Sequence, residues 1–297
     1  MITCTIGVMA YNEEANIGRL FEALSNQVLS VCTIKEIIVV ASGCTDRTEE
    51  IVRDYIKRDS RIRLFSQQLR EGKASAINLF LSNVSTDVVV LESADTIPEP
   101  DTIENLVKPF LEPVIGMTGG HPVPMDNARK FIGFTTHLLW NLHHELALIN
   151  PKLGEIVAFR GNVVSQIPMD TITDEACLEA IFTNKGYRLH YVPEAIVKNK
   201  GQGSVAEFIN RRRNLYAGHI QLIQRYGYAP STTNVTLILK LLLRQMMSNS
   251  GLRSILFTFM SMALEGWVRI LGMADYYIKK DNLHIWKIAK HSKTLEE

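Results

Sequence analysis

Two rhythms of apolar residues alternate through roughly the first hundred positions. Nearly unbroken apolar runs at 6–10, 36–40, 62–65 and 87–91 predict buried strands. Between them, apolar residues recur every three or four positions, which predicts helices over 15–27, 46–58 and 73–81. Ile17, Leu20, Phe21 and Leu24 share one face of the first helix, and Ile51, Val52, Tyr55 and Ile56 one face of the second. Apolar strands joined by helices predict an α/β fold with a mainly parallel central sheet covered on both sides. In such sheets ligands sit at the carboxyl ends of the strands.

The middle of the chain is less regular. The glycines and prolines of 116–124 predict a turn region. A helix follows over 131–148, carrying His137, His143 and His144. A short helix over 174–183 leads through Gly186 into a strand over 187–192. The tail changes character. Residues 235–247 are apolar apart from Lys240 and Arg244, and after a break at Asn249-Ser250-Gly251 residues 254–277 are apolar apart from Glu265 and Arg269. Those two stand four apart, at the spacing of a helical ion pair. A membrane-spanning helix needs about 20 apolar residues, and the second segment reaches that length only with the charged pair included. A C-terminal α-helical hairpin lying in a membrane interface fits as well as a span, and two buried helices of a soluble domain remain the plain alternative. The pattern divides the chain at about residue 228, with 1–228 as the catalytic unit and 229–297 as an amphipathic, membrane-associated region.

Composition sharpens this division. Of 297 residues, 46% are apolar and 21% charged, enough for a packed core and too apolar for disorder. The net charge is +1, yet residues 201–297 carry 13 Lys/Arg against 6 Asp/Glu, leaving 19 against 25 in residues 1–200. An acidic front suits a metal or sugar site, and a basic apolar tail suits phosphates or an anionic membrane surface. Cys4, Cys32, Cys44 and Cys177 show no zinc-ligand spacing and no disulfide framework, which predicts a reduced, cytoplasmic setting. The N-terminus does not read as a signal peptide.

The polar residues at the predicted strand ends carry the chemistry. The first strand runs into Met9-Ala10-Tyr11-Asn12-Glu13-Glu14 and the second into Ala41-Ser42-Gly43-Cys44-Thr45-Asp46-Arg47-Thr48. Then come Arg70-Glu71-Gly72-Lys73-Ala74-Ser75-Ala76-Ile77-Asn78 and Glu92-Ser93-Ala94-Asp95. Later follow Thr173-Asp174-Glu175 and Asn210-Arg211-Arg212-Arg213-Asn214. In this order and spacing the chain resembles family 2 glycosyltransferases, from about Ile2 to about Gly227. The resemblance implies a GT-A fold and an inverting transfer of sugar from a nucleotide diphosphate donor, such as a UDP- or GDP-sugar.

It also implies roles. Ala10, Asn12, Glu13, Ser42, Lys73, Ser93 and Ala94 would contact the donor nucleotide. Asp95 stands for the second acid of an Asp-x-Asp motif, written here Ser93-Ala94-Asp95, and would hold Mg²⁺ or Mn²⁺. Glu175 would be the general base, with Asp174 taking that role if the loop is shifted by one. Arg212 and Arg213 would grip the diphosphate. The aromatic of a Gln-x-x-Arg-Trp motif is replaced by Asn214, which argues against processive synthesis. Gly161-Asn162 stands where a glycine would admit the acceptor.

Each residue keeps a structural alternative. Asp46 fits a helix N-cap, Glu13 and the Asp174–Glu175 pair fit acidic first turns of helices, Asp95 fits a turn, and Lys73 and the arginines fit solvated surface. The acceptor is expected to be a glycan or lipid-linked hydroxyl at the cytoplasmic side of the cell membrane. The alternatives are a polyprenyl-phosphate hexose synthase and a non-catalytic nucleotide-sugar-binding subunit. No aromatic-interleaved basic surface points to nucleic acid, and a homo-oligomer is compatible with the chain.

Overall fold

The structure, a computed structural model, describes residues 1–248, 251–279, 283–286 and 291–293. Its first third follows the expected alternation. β1 (Ile2–Ala10), β2 (Cys32–Ser42), β3 (Ile62–Gln67) and β4 (Val88–Ser93) pair in parallel in the order β3-β2-β1-β4. They are joined by α1 (Ile17–Ser25), α2 (Thr48–Ile56) and α3 (Lys73–Leu81). Side chains alternate across the sheet, as a strand's two-residue period requires. Ile6, Val8, Ile37 and Val39 enter one core with α1, while Ile38, Val40, Val89 and Leu91 enter the other with α3. β2 starts earlier than its apolar run because Cys32 to Lys35 alternate buried and exposed, a half-covered stretch that dilutes the hydrophobic signal.

The sheet continues past β4 with mixed pairing. After β5 (Thr96–Pro98) and α4 (Thr102–Val107) come β6 (Ile115–Pro124), α5 (Phe131–Ile149), β7 (Ile156–Arg160), α6 (Asp174–Asn184), β8 (Arg188–Asn199) and α7 (Val205–Tyr226). β7 lies antiparallel between β4 and β6, β8 runs parallel to β6, and β5 closes the far edge. The turn region expected at 116–124 is therefore strand β6. A side chain on Gly119 would come within 2.6 Å of Leu153, and one on Gly120 within 2.5 Å of the Ala195 carbonyl. The glycines are there for close approach, a known use of glycine inside strands.

The tail forms α8 (Val235–Ser248) and α9 (Leu252–Ala274), the latter continued by a π-helical turn, Asp275–Lys279. Asn249 and Ser250 of the expected break lie outside the described residues, and Gly251 enters α9 in an extended conformation. Leu241 and Leu242 of α8 pack on Leu138, Leu142 and Leu146 of α5. α9 lies along α7 so closely that a Cβ on Gly272 would meet the Arg213 carbonyl at 2.7 Å.

Candidate active site

A cavity of about 740 Å³ opens at the carboxyl ends of β1, β2 and β4, a size suited to a small-molecule site. Ala10 and Glu13 reach it from the end of β1, Ser42 from β2, and Ser93, Ala94 and Asp95 from β4. Lys73 enters from the start of α3, Asp174 and Glu175 from the start of α6, and Arg212 from α7. Six separate segments of the sequence thus share one space.

Asn12 does not line the cavity. It takes a left-handed conformation with φ 52° and binds Thr45 twice, its amide donating to Thr45 Oγ1 at 3.1 Å and its Oδ1 accepting the Thr45 N–H at 2.8 Å. Its short amide tolerates that backbone, so Asn12 shapes the turn expected to meet the nucleotide. Asp46 accepts from the Thr48 amide at 3.0 Å and the Glu14 amide at 3.1 Å and so braces the turn into α2, whose N-cap is Arg47 rather than the expected Asp46. Glu13 faces inward, 5% exposed, and accepts from Asn16 Nδ2 at 2.9 Å. Burial, reinforced by the Asp95 charge and partly offset by Lys293, pushes its carboxyl up to about 7. Asp95 makes no hydrogen bond or ion pair with the other described residues.

Lys73 places its ammonium 2.7 Å from Asp174 Oδ2 and 2.7 Å from Glu175 Oε1. Burial works against its charge, and the two carboxylates outweigh that effect. Burial and the neighbouring Glu175 raise Asp174, whereas for Glu175 burial is overcome by Lys73 and its carboxyl falls below the ordinary range. Both carboxylates are thus held by Lys73, the residue expected to meet phosphate.

Sequence reading missed the opposite wall. Glu155 precedes β7 in the left-handed region at φ 61°, a conformation costing about 1–3 kcal/mol for such a residue. Its Oε1 accepts from Arg211 Nη2 at 2.8 Å. Burial raises the Glu155 carboxyl, Arg211 pulls it back, and Asp95 and Glu175 add to the rise, so Glu155 lies within electrostatic reach of both. Glu179 of α6, fully buried, accepts from Lys152 Nζ, the Leu153 amide and the Tyr228 hydroxyl, each at 2.8 Å. It ties the Gly154–Glu155 corner to the helix that carries Asp174 and Glu175. Gly154 lines the cavity, and a Cβ added there would meet nothing within 4 Å. Gly161 follows the far end of β7, against the Thr86 carbonyl, and is absent from the cavity wall. The glycine open to an incoming molecule is Gly154, because β7 runs antiparallel to β4.

The three arginines of α7 point in different directions. Arg211 and Arg212 line the cavity, and Arg212 is held by Glu265 of α9 at 2.5 Å. Glu265 also lies 3.4 Å from Arg269, the expected i,i+4 pair. Arg213 turns away from the cavity and pairs with Asp275. Successive helical residues lie about 100° apart, so three consecutive arginines cannot all face the cavity. Arg213, expected at the diphosphate, here links α7 to the tail. His144 hydrogen-bonds the Tyr191 hydroxyl at 2.9 Å and stacks on His121 at 4.2 Å, while His143 alone of the three histidines of α5 lines the cavity.

Comparison with known proteins places the chain in a family. The family model described as Glycosyl transferase family 2 matches residues 5–162, more than half of the chain. The chain belongs to glycosyl transferase family 2. A second family model, Glycosyl transferase family group 2, matches residues 88–271. The glycosyltransferase is 26% identical over 204 residues to the poly-β-1,6-N-acetyl-D-glucosamine synthase of Staphylococcus aureus, covering 65% of this chain and 48% of that protein. It is 27% identical over 151 residues to the glycosyltransferase GlyA of Streptococcus pneumoniae, covering 51% of this chain and 21% of that one. The chain therefore spans about half the length of the synthases it matches, and less of GlyA. Among solved structures, a mannosyltransferase from Pyrobaculum calidifontis in complex with GDP-Man and Mn²⁺ superposes with TM-score 0.66 at 21% identity, over 94% of this chain and 88% of that one. Glucosyl-3-phosphoglycerate synthase from Mycobacterium tuberculosis, in complex with Mn²⁺, UDP and glucosyl-3-phosphoglycerate, gives TM-score 0.54 at 21% identity, over 77% and 81%. These likenesses establish the expected GT-A architecture.

Proposed function

We propose that this glycosyltransferase moves a sugar, with inversion, from a nucleotide diphosphate donor to a hydroxyl acceptor at the cytoplasmic face of a membrane. The observation that carries the proposal is Lys73. Its ammonium stands at the N-terminus of α3, where backbone amides favour anions, and it also contacts Asp174 and Glu175. A phosphate-binding cation and a candidate base thus meet in the cavity that contains Asp95.

The donor, a UDP- or GDP-sugar, would lie across Ala10, Glu13, Ser42, Ser93 and Ala94, with its diphosphate toward Lys73, Arg212 and Asp95. The residues fit a divalent cation: Asp95 presents a carboxylate that no other described residue engages, and Mg²⁺ commonly binds through one or two carboxylates plus phosphate oxygens. Mg²⁺ or Mn²⁺ held there would neutralise charge on the leaving diphosphate. A diphosphate drawing Lys73 toward itself would free Glu175 to accept the acceptor's proton, so donor binding would switch on the base. Asp174 is the neighbouring acid that this exchange would also release.

The acceptor reading rests on the apolar extension of the cavity. Leu139, Leu142, Ile238, Leu239, Leu242 and Met262 line its outer part between α5, α8 and α9, which suits a lipid-linked glycan or polyprenyl chain. The helix spanning Leu252–Lys279 is long and apolar enough to cross a membrane. Its ion pairs to α7 favour a helix lying along the surface instead. Leu256, Phe259, Trp267 and Ile270 are each more than half exposed, an apolar face suited to a bilayer interface. On this reading residues 1–228 catalyse and 229–297 hold them at the membrane.

The test is turnover of UDP- and GDP-sugars with Mn²⁺ by the full chain and by Glu175→Gln. Loss of a general base lowers turnover by about 10²–10⁴, with nucleotide affinity retained within about threefold. Full turnover by the variant would refute the base assignment, and no turnover of any donor by the unaltered chain would refute the donor reading.

A further inference from the structure

Three residues of the C-terminal segment, His284, Trp286 and Lys293, stand in the wall of the cavity. Lys293 Nζ donates to the Tyr11 carbonyl at 2.7 Å and to the Glu13 carboxylate. It lies 5.9 Å from the centre of the Tyr11 ring, which Arg70 approaches at 4.5 Å. Arg70 in turn donates to the Trp286 carbonyl at 2.6 Å. The Trp286 indole N–H donates to the Ile172 carbonyl at 2.9 Å, and Arg211 lies 5.9 Å from its ring. His291 rests on Gly203, where a Cβ would come within 2.6 Å of its ring.

These contacts bind the segment to the nucleotide turn at 11–13, the loop before Lys73, the loop before Asp174 and the arginine helix. His284, Trp286 and Lys293 are part of the wall of the cavity of about 740 Å³. We propose that this segment completes the donor site: Lys293 contributes a fixed positive charge to the donor diphosphate beside Asp95, and Trp286 positions the loops that carry Lys73 and Glu175. This rests on the donor reading above. It accounts for two departures from the motif pattern. Only one carboxylate, Asp95, remains to recruit a cation, and the tethered ammonium sits at Glu13, whose carboxyl feels both Lys293 and Asp95. The aromatic missing at Asn214 is present in the same cavity as Trp286.

The experiment measures binding of UDP and GDP, and of uridine and guanosine as phosphate-free controls, by calorimetry on the full chain, Lys293→Ala and Lys293→Arg. Losing one charge-assisted contact weakens nucleoside diphosphate binding about tenfold, with the arginine variant recovering most of it and the nucleosides unaffected. Unchanged diphosphate affinity in Lys293→Ala overturns the proposal. Tighter binding overturns it too, because the segment would then obstruct the site. No nucleotide binding by the unaltered chain overturns the donor reading and this inference with it; binding that Lys293→Ala leaves intact overturns this inference alone. For Trp286→Phe, kcat falls about tenfold while donor KM stays within about threefold, the split expected of a positioning residue. A parallel rise in KM with unchanged kcat contradicts that role.

Discussion

The two sides of the cavity are built differently. On the side of β1, β2 and β4, the turns are joined by short hydrogen bonds such as Asn12–Thr45 and Asp46–Thr48, over strands packed on both faces. On the side of α6, α7 and the tail, ion pairs connect elements distant in sequence: Lys73–Glu175, Glu155–Arg211, Arg212–Glu265, Arg213–Asp275 and Lys293–Glu13. The first side is a fixed seat. The second is held by charges, and those of Lys73, Arg211, Arg212 and Lys293 face the cavity, where an anionic donor would compete for them.

The largest expected effect on stability comes from the buried ion pair behind the second side. Glu179→Ala leaves Lys152, only 11% exposed, without its counter-charge and strips acceptors from Leu153 and Tyr228. Breaking such a pair costs about 3–5 kcal/mol, to be read from chemical denaturation. A loss below about 1 kcal/mol would show that this side does not depend on its charges and would erase the contrast.

A smaller effect sharpens the contrast through pH. Glu92 lies beneath Asp95 on the first side, 3% exposed, and burial pushes its carboxyl up to about 8, against a Thr96 hydroxyl that donates to it. The folded protein therefore holds a proton on Glu92 that the unfolded chain releases near 4.5. Its contribution to stability is fully present below that value and is lost as pH rises through about 8. Relative to Glu92→Gln, the unaltered chain should lose on the order of 4 kcal/mol between pH 5 and pH 8.5, followed by thermal unfolding. Parallel curves for the two proteins would contradict the protonated state.

The same contrast governs what could be read from the sequence. The first side was legible because its strands are nearly unbroken apolar runs and its turns follow immediately after them, so Ala10, Glu13, Ser42, Lys73 and Asp95 fell into one cavity as their positions implied. β7 carries only a four-residue apolar run before Arg160, too short to stand out between the helices predicted on either side. Glycines in β6 read as turn residues because sequence shows their flexibility and conceals the neighbour pressed against them. Glu155 belongs to no motif: its place follows from a left-handed backbone and an arginine 56 residues away. The motif favours Arg213 over Arg212, whereas α9 supplies Glu265 to Arg212 at the cavity and the turn after it supplies Asp275 to Arg213. Lys293 meets Glu13 across 280 positions, a separation no local pattern encodes.

The most direct test of the account is titration calorimetry of UDP and GDP with the full chain and with Asp95→Asn, each with and without Mn²⁺. The account predicts that at least one nucleoside diphosphate binds, that Mn²⁺ tightens binding to the unaltered chain, and that Asp95→Asn binds at the metal-free level whether or not Mn²⁺ is present. Equal tightening by Mn²⁺ in both proteins, or no binding of either nucleotide, would contradict it.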